Sequence, residues 1–417
     1  MLTTTRRDVL RAAVAGVAVP AWPAWLPRLA FAPPQTAPRG DVLVCIFLRG
    51  AADALNVVVP HGEAAYYTLR PHLAIPRPDD ARARADLRAR DLDGFFGLHP
   101  ALAPLLPAWA AGDLAIVHAC GAPDESRSHF QAMALMERGV DEPTGPATGW
   151  IGRHLAALDN GNTSPLRAIG LGTSTPRSLR GPIPATALRS ITDFHLAGDP
   201  RAAARLRAAL AALYIGDEPL AAKGRETLDL LDTLDRLDPH GYAPANGARY
   251  PAGDFGMALR QVAILVKAQV GLEVACLDVG GWDTHINQGG SEGALAALLR
   301  DLGAGLAALH ADLQEQADKL LVVTLSEFGR RAKENGGLGT DHGHGSAMLL
   351  LGGGIAGGRV HGAWPGLAPE QLVGPGDLAV TTDYRDVLGE LVARRLQNPH
   401  LAAVFPDYAP TFRGVTR

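Results

Sequence analysis

The sequence predicts an α/β fold: a doubly wound, mostly parallel sheet flanked by helices, with a helical insertion. Three observations predict it. Short, continuous apolar runs recur along the chain, as strands buried on both faces require. Alanine- and leucine-rich stretches of helical spacing alternate with these runs. Polar residues able to do chemistry gather beside the ends of the runs, where open α/β sheets place their sites.

The chain has 417 residues, enough for one large core or two modest ones. Its first 32 residues are expected to be an export signal. Thr5-Arg-Arg-Asp-Val-Leu-Arg11 is a twin-arginine pattern, Ala12 to Trp25 is an apolar h-region, and Ala30-Phe-Ala32 is a small-x-small cleavage site. A membrane anchor is the alternative, but Pro20, Pro23 and Pro27 interrupt an apolar stretch shorter than the ~18 residues a span needs. Cleavage removes Arg6, Arg7, Arg11 and Arg28 together with Asp8, taking the net charge from −4 to −7. That balance excludes a basic nucleic-acid footprint. We expect residues 33–417 to form one domain, periplasmic or secreted, with the twin-arginine translocase as an export partner and no membrane span after cleavage.

The first strand is expected over Asp41–Leu48, ended by Gly50, and the loop after it carries Arg49, Asp53 and Asn56. A second run, Leu114–Val117, is followed by a loop, Ser128-His129 and a helix over Phe130–Arg138; a third run covers Leu166–Leu171. Residues 200–237 are helical by the spacing of Leu206, Leu210 and Leu213, then of Leu228, Leu231 and Leu234. A loop rich in proline and glycine closes that block, so about 192–254 reads as an inserted cap. A helix over Phe255–Val270 precedes the strand Val274–Leu277, and a helix over Leu295–Ala317 precedes the strand Leu320–Leu325. Ala347–Leu351 is a further strand and Asp383–Leu396 a last helix. Cys45 and Cys276 lie inside apolar runs and read as small buried hydrophobes, with a bridge from Cys45 to Cys276 or Cys120 as the alternative.

Between Asp278 and His344 the chain concentrates carboxylates and imidazoles: Asp283 and His285, then Glu327, then Asp341, His342 and His344. Mixed oxygen and neutral nitrogen donors suit Zn, Mn or Fe and, with fewer nitrogens, Mg. Asp53 joins the candidate ligands from the first loop, because the carboxyl ends of parallel strands share one edge. Any one of these residues alone is more often a turn cap or a satisfied loop histidine. Five polar sets beside strand ends, Asp53 with Asn56, Ser128 with His129, Asp283 with His285, Glu327 with Arg330, and Asp341 with His342 and His344, together point to one or two divalent ions. For Ser128 alone the ordinary role is a helix cap. Arg330, with Arg49 and Arg127, could clamp an anionic ester through paired N–H donors.

Two other motifs fail on their surroundings. Gly352-Gly-Gly-Ile-Ala-Gly357 has the letters of a dinucleotide fingerprint, but Gly358, Gly362, Pro365 and Gly366 forbid the helix that would hold a pyrophosphate. Cys120-Gly-Ala-Pro123 has the wrong spacing for formylglycine chemistry.

The runs LRGAADALN ending at Asn56, SRSHF ending at Phe130, GGWDTH ending at His285, SEFGRR ending at Arg331 and GTDHGHG ending at Gly345 resemble a known family. It is domain of unknown function 1501, exported proteins placed in the alkaline phosphatase-like superfamily with sulfatases. The resemblance implies an alkaline phosphatase-like sheet and a metal site that attacks a phosphate or sulfate ester, carried by a small molecule or a polymer. Within it, Asp53 resembles the aspartate after the first strand, His342 or His344 the last histidine ligand, and Ser128 is the candidate nucleophile that the resemblance implies. Three departures stand out. Asp283 and His285 are two apart where the superfamily has four, Ser326-Glu327 replaces an Asp-His pair, and Ala51 and Ala54 replace glycines. These leave a single ion as an alternative to two. They also leave a second functional class: a metal-stabilised binding or assembly protein without turnover.

Overall fold

A computed structural model describes residues 41–417, apart from positions 159, 163, 193–195, 197–198, 217, 238 and 240. The expected signal and its cleavage site lie outside the described residues. Strand β1 (Val42–Leu48) is the centre of the molecule. A small antiparallel sheet follows from β2 (Val58–Val59), β3 (Arg90–Asp91) and β4 (Gly97–Leu98). The main sheet adds β5 (Leu114–Gly121), β6 (Ala168–Leu171), β7 (Thr186–Leu188), β8 (Val274–Val279), β9 (Leu320–Leu325), β10 (Ser346–Leu351), β11 (Val360–His361) and β12 (Thr382–Asp383). Its order is β11-β5-β10-β9-β1-β8-β6-β7, with β12 also paired to β5.

In the main sheet, among the described residues, only β10 is antiparallel to its neighbours, β5 and β9; the other pairings there are parallel. This reversal matters for the site. Residues that precede β10 lie at the same edge as residues that follow β1, β5, β8 and β9. The sequence shows the apolar run of β10 but not its direction.

The side chains of β1 alternate between two cores. Val42, Val44, Ile46 and Leu48 face one, while Leu43, Cys45 and Phe47 face the other. Burial on both faces explains why the strand reads as an unbroken apolar run. Helices Asp254–Lys267 and Ala294–Asp312 cover the first face through Leu259, Val262, Leu295, Leu299, Leu302 and Leu306. Helices Trp150–Ala157 and Tyr384–Arg394 cover the second through Ile151, Leu155, Val387, Leu388 and Leu391. Each such leucine or isoleucine contributes about 1.5–3 kcal/mol of burial. The fold is therefore the doubly covered, mostly parallel α/β sheet expected.

Details differ from expectation at helix ends. Helix Asp254–Lys267 stops before Val270, because Gln269 takes a left-handed conformation at φ 51°. The helix expected to reach Ala317 ends at Asp312 and tightens into a 3-10 segment, Gln314–Lys319. By length and composition, helix Ala294–Asp312 is apolar enough to cross a membrane, which the sequence reading missed. Its leucines pack into the core between the sheet and its neighbours. In the block read as an insertion, helices Pro200–Leu213 and Pro219–Arg236 pair with each other, and Leu230 and Leu234 join the first core. Pro200 at the first helical position and the Asp199 carboxylate, accepting from Arg201 and Ala202 N–H, start the first of them. All three cysteines are free and buried, although Cys45 and Cys276 are register partners on β1 and β8.

Candidate metal centre

Loops after β1, β5, β8 and β9, with the segment before β10, meet at one sheet edge. Two glycines allow the approach. A Cβ on Gly50, at φ 117°, would lie 2.6 Å from the Asp283 nitrogen. A Cβ on Gly343 would lie 2.4 Å from the Arg330 carbonyl carbon, where residues 330 and 342 form an antiparallel bridge. Glycine is required at both points by backbone contact.

Arg330 ties these segments together. Its buried guanidinium donates to the carbonyls of Ala51 (2.8 Å), Thr340 (2.8 Å), Gly50 (2.6 Å) and Trp282 (3.2 Å), and to Asp283 Oδ1 (2.5 Å). All three of its nitrogens are thus engaged within the protein. The sequence suggests Arg330 as a clamp for substrate; the structure makes it a staple that orients Asp283.

Three imidazoles surround Asp283. His285 Nε2 lies 3.0 Å and His342 Nε2 3.2 Å from Oδ1, and His129 Nε2 lies 3.4 Å from Oδ2. His285 Nε2 and His342 Nε2 are 2.9 Å apart. Each ring presents its other nitrogen to an acceptor. His129 Nδ1 meets Glu327 Oε1 at 2.7 Å, His342 Nδ1 meets the Arg127 carbonyl at 3.0 Å, and His285 Nδ1 meets Asp341 Oδ1 at 3.4 Å. With the proton of each ring placed on Nδ1, toward those acceptors, the Nε2 lone pairs converge on the Asp283 carboxylate. Lone pairs cannot sit so close to one another and to a carboxylate without a cation or an extra proton among them.

Burial, opposed by the contact with Asp283, holds His342 below the ordinary histidine range, which disfavours the extra proton. Burial would raise the Asp283 carboxyl, but the hydrogen bond from Arg330, the contact with His342 and the charge of Arg330 bring it down to about 2. A hydrogen bond from Asn335 lowers Asp341, against a smaller effect of burial. His129 Nε2 is enclosed and has no hydrogen-bond partner. Ligand atoms of His129, Asp283 and His342 all lie within 4.8 Å of one another. Tetrahedral ligands at the usual Zn–N and Zn–O lengths stand about 3.3 Å apart, close to the spacings seen here. The residues His129, His342 and Asp283 therefore fit one divalent ion, with His285 Nε2 alongside, 2.9 Å from His342 Nε2. The Asp283 side chain is 48% exposed and that of His285 36%, which leaves the cluster open to solvent.

The other expected ligands are elsewhere. Asp53 is fully buried, gripped at both oxygens by Arg70 (2.6 and 2.9 Å), with Gln288 donating to Oδ2 at 2.6 Å. His344 presents Nε2 to the Ala122 carbonyl at 2.9 Å, so that nitrogen carries a proton. Glu327 is buried and accepts from Gly50 N–H (2.8 Å) as well as from His129. It fixes the orientation of the His129 ring, and Asp341 lies against His285 in the same way. Ser128 is exposed at the start of helix His129–Arg138, and its hydroxyl makes no capping hydrogen bond.

His129 is the residue that sequence reasoning undervalued. It stands beside Ser128 in the motif, and its only signal was a histidine at a strand's carboxyl edge. Phe328, buried, stacks on His129 and lies against His342, with ring centroids 5.0 Å from each. Trp282 is likewise core packing.

The sequence model of a family described as "Protein of unknown function (DUF1501)" matches residues 104–397. The chain belongs to that family. Four of the cluster's residues, His129, Asp283, His285 and His342, lie inside the matched span, whereas β1 and Asp53 lie before it. No curated protein matches the DUF1501 chain by sequence. Among solved structures it is similar to the C-terminal periplasmic domain of EcEptC from Escherichia coli in complex with Zn, at 10% identity and a TM-score of 0.33, over 78% of this chain and 77% of that one. A phosphonate monoester hydrolase of Agrobacterium radiobacter gives 10% identity and a TM-score of 0.32, over 90% and 79% of the two chains. Alkaline phosphatase from the Antarctic bacterium TAB5 gives 9% and 0.27, over 76% and 92%.

Proposed function

We propose that this DUF1501 chain is an exported hydrolase of phosphate or sulfate esters that works with one divalent metal ion. The observation that carries the reading is the convergence of three imidazole Nε2 atoms on Asp283 at a solvent-open sheet edge. His129, Asp283, His285 and His342 would hold the ion. Three nitrogens and one oxygen favour Zn, Mn or Fe over Mg. Bound there, the ion would polarise an ester oxygen and stabilise charge that develops on it. Glu327, Asp341 and the Arg127 carbonyl fix the ring orientations, and Arg330 holds Asp283 ionised. Ser128, next in sequence to His129, is the proposed nucleophile. Export rests on Arg6-Arg7 and Ala30-Phe-Ala32.

A second reading, a metal-stabilised binding protein without turnover, is favoured by one observation. The carboxylate that a second ion would need, Asp53, is consumed by Arg70 and Gln288. Metal analysis of protein purified without chelator, followed by a panel of phosphate and sulfate esters, separates the readings. Stoichiometric metal with turnover supports the hydrolase, and metal without turnover supports the binding protein. Folded protein that takes up no Zn, Mn or Fe removes both.

A further inference from the structure

Arg330 and Arg331 are adjacent, yet their side chains are used in opposite ways. The guanidinium of Arg330 is buried and engaged at every nitrogen. That of Arg331 makes no hydrogen bond to any described residue, and its Nε is enclosed without a partner. The closest anions are Asp341 Oδ2, 3.8 Å from one terminal nitrogen, and Asp377 Oδ1, 4.0 Å from Nε. Asp377 is 1% exposed, pairs through its other oxygen with Arg127, and leaves Oδ1 unpartnered. Two carboxylates therefore balance the charge of Arg331 without occupying its donors.

The backbone beneath this side chain is fixed. Arg331 N–H donates to the Asp341 carbonyl at 2.9 Å, its own carbonyl accepts from buried Arg70 at 2.9 Å, and it bridges to Asp377. Residue 330 pairs with His342, so the Arg331 side chain starts one residue from the metal-ligand segment. A guanidinium is always charged and presents five N–H groups in a flat fork that fits an oxyanion. On a fixed backbone, between two carboxylates and with its side chain 35% exposed, it is free to receive one.

We infer that Arg331 contacts the substrate, donating its free N–H groups to a tetrahedral oxyanion, the phosphate or sulfate group of the ester, beside the His129, Asp283, His285 and His342 cluster. This rests on the hydrolase reading and names the residue that selects its substrate class. The competing role is a brace, in which Arg331 only neutralises Asp341 and Asp377.

The test titrates protein, as purified and after incubation with Zn, with inorganic phosphate and separately with sulfate, by calorimetry. Wild type, Arg331→Gln and Arg331→Lys are compared, with metal content and melting temperature measured on each. We expect Arg331→Gln to weaken phosphate or sulfate binding about tenfold or more, and Arg331→Lys to recover part of it, at unchanged metal content and melting temperature. The anion more strongly affected identifies the ester. Unchanged anion binding in Arg331→Gln overturns the inference, as does wild type that binds neither anion at millimolar concentration. Loss of metal together with anion binding in that variant also overturns it, in favour of the brace. Arg331-dependent anion binding by wild type that takes up no metal sinks the metal-hydrolase reading alone.

Discussion

Two carboxylate-centred clusters occupy the same edge of the sheet, and they differ in who completes them. Around Asp53 the protein completes itself: Arg70 takes both oxygens, Gln288 adds a third bond, and Tyr66 and Asn56 close the network. Around Asp283 it does not, since three imidazole Nε2 atoms, the orphaned one of His129 among them, face one exposed carboxylate. The histidines show the same contrast. His99 and His118, packed near Asp53, accept a backbone N–H at Nδ1 and present Nε2 to a carbonyl, so each neutral ring is fully satisfied. In the open cluster Nδ1 is the protonated nitrogen and Nε2 is left for something else. Residue type does not distinguish scaffold from site here. The balance of internal donors and acceptors does.

The largest effect should come from breaking the closed cluster. Arg70→Ala leaves the Asp53 charge buried and unpaired, at a cost of about 3–5 kcal/mol in urea unfolding. The folded fraction should keep its metal, because no Arg70 contact reaches His129, Asp283, His285 or His342. Full stability in this variant would show that the Asp53 cluster is not the scaffold described.

Acid should act on the same region next. Burial, partly offset by the hydrogen bonds to Gly290 and Val58 carbonyls, pushes His99 and His118 down to about 4. A folded value below the unfolded 6.5 means that the unfolded chain takes up protons first. This stability is therefore complete above pH 6.5 and is lost as pH falls from 6.5 toward 4, on the order of 3 kcal/mol for each ring. Melting temperature against pH should slope down across that window. His118→Gln should flatten the slope, and an unchanged slope would contradict the assignment.

Within the open cluster, Glu327→Gln keeps the shape but weakens the support of His129. Metal affinity should fall roughly 10–100-fold, measured by competition with a chelating dye. An unaffected affinity would exclude His129 from the ligand set.

Much of this contrast was not written in the sequence. Strands such as Leu320–Leu325 were legible because burial on both faces leaves an unbroken apolar run. That Asp283 and His285 lie at the edge where the parallel strands end was legible, whereas His342 joins them only because β10 runs antiparallel, a direction the sequence does not show. The partner of Asp53 was not legible: Arg70 lies 17 residues on, at the end of the short helix Ala64–Leu69, and its place in the sequence does not say which carboxylate it meets. Nor were the acceptors that set the tautomers, because the Arg127 and Ala122 carbonyls are backbone groups and leave no letter in the sequence. His344 and His342, two residues apart, look equivalent until those carbonyls are located.

Ser128→Ala should have the smallest effect on stability and is the sharpest test of function. A serine ahead of a helix ordinarily caps it, at a worth of roughly 0.5–2 kcal/mol. Here the helix beginning at His129 receives no side-chain cap from Ser128; the residue contributes its carbonyl, which accepts Ala132 N–H at 2.9 Å and survives substitution by alanine. The hydroxyl is exposed, so its loss should shift stability by no more than about 0.5 kcal/mol. Metal content should be unchanged, because the His129 ring is held by Glu327 and Phe328 rather than by its neighbour. If Ser128 is the nucleophile, ester hydrolysis disappears while both of these readouts hold. Hydrolysis that persists at the wild-type rate would remove Ser128 from the chemistry and leave the His129, Asp283, His285 and His342 cluster to act without a covalent serine intermediate.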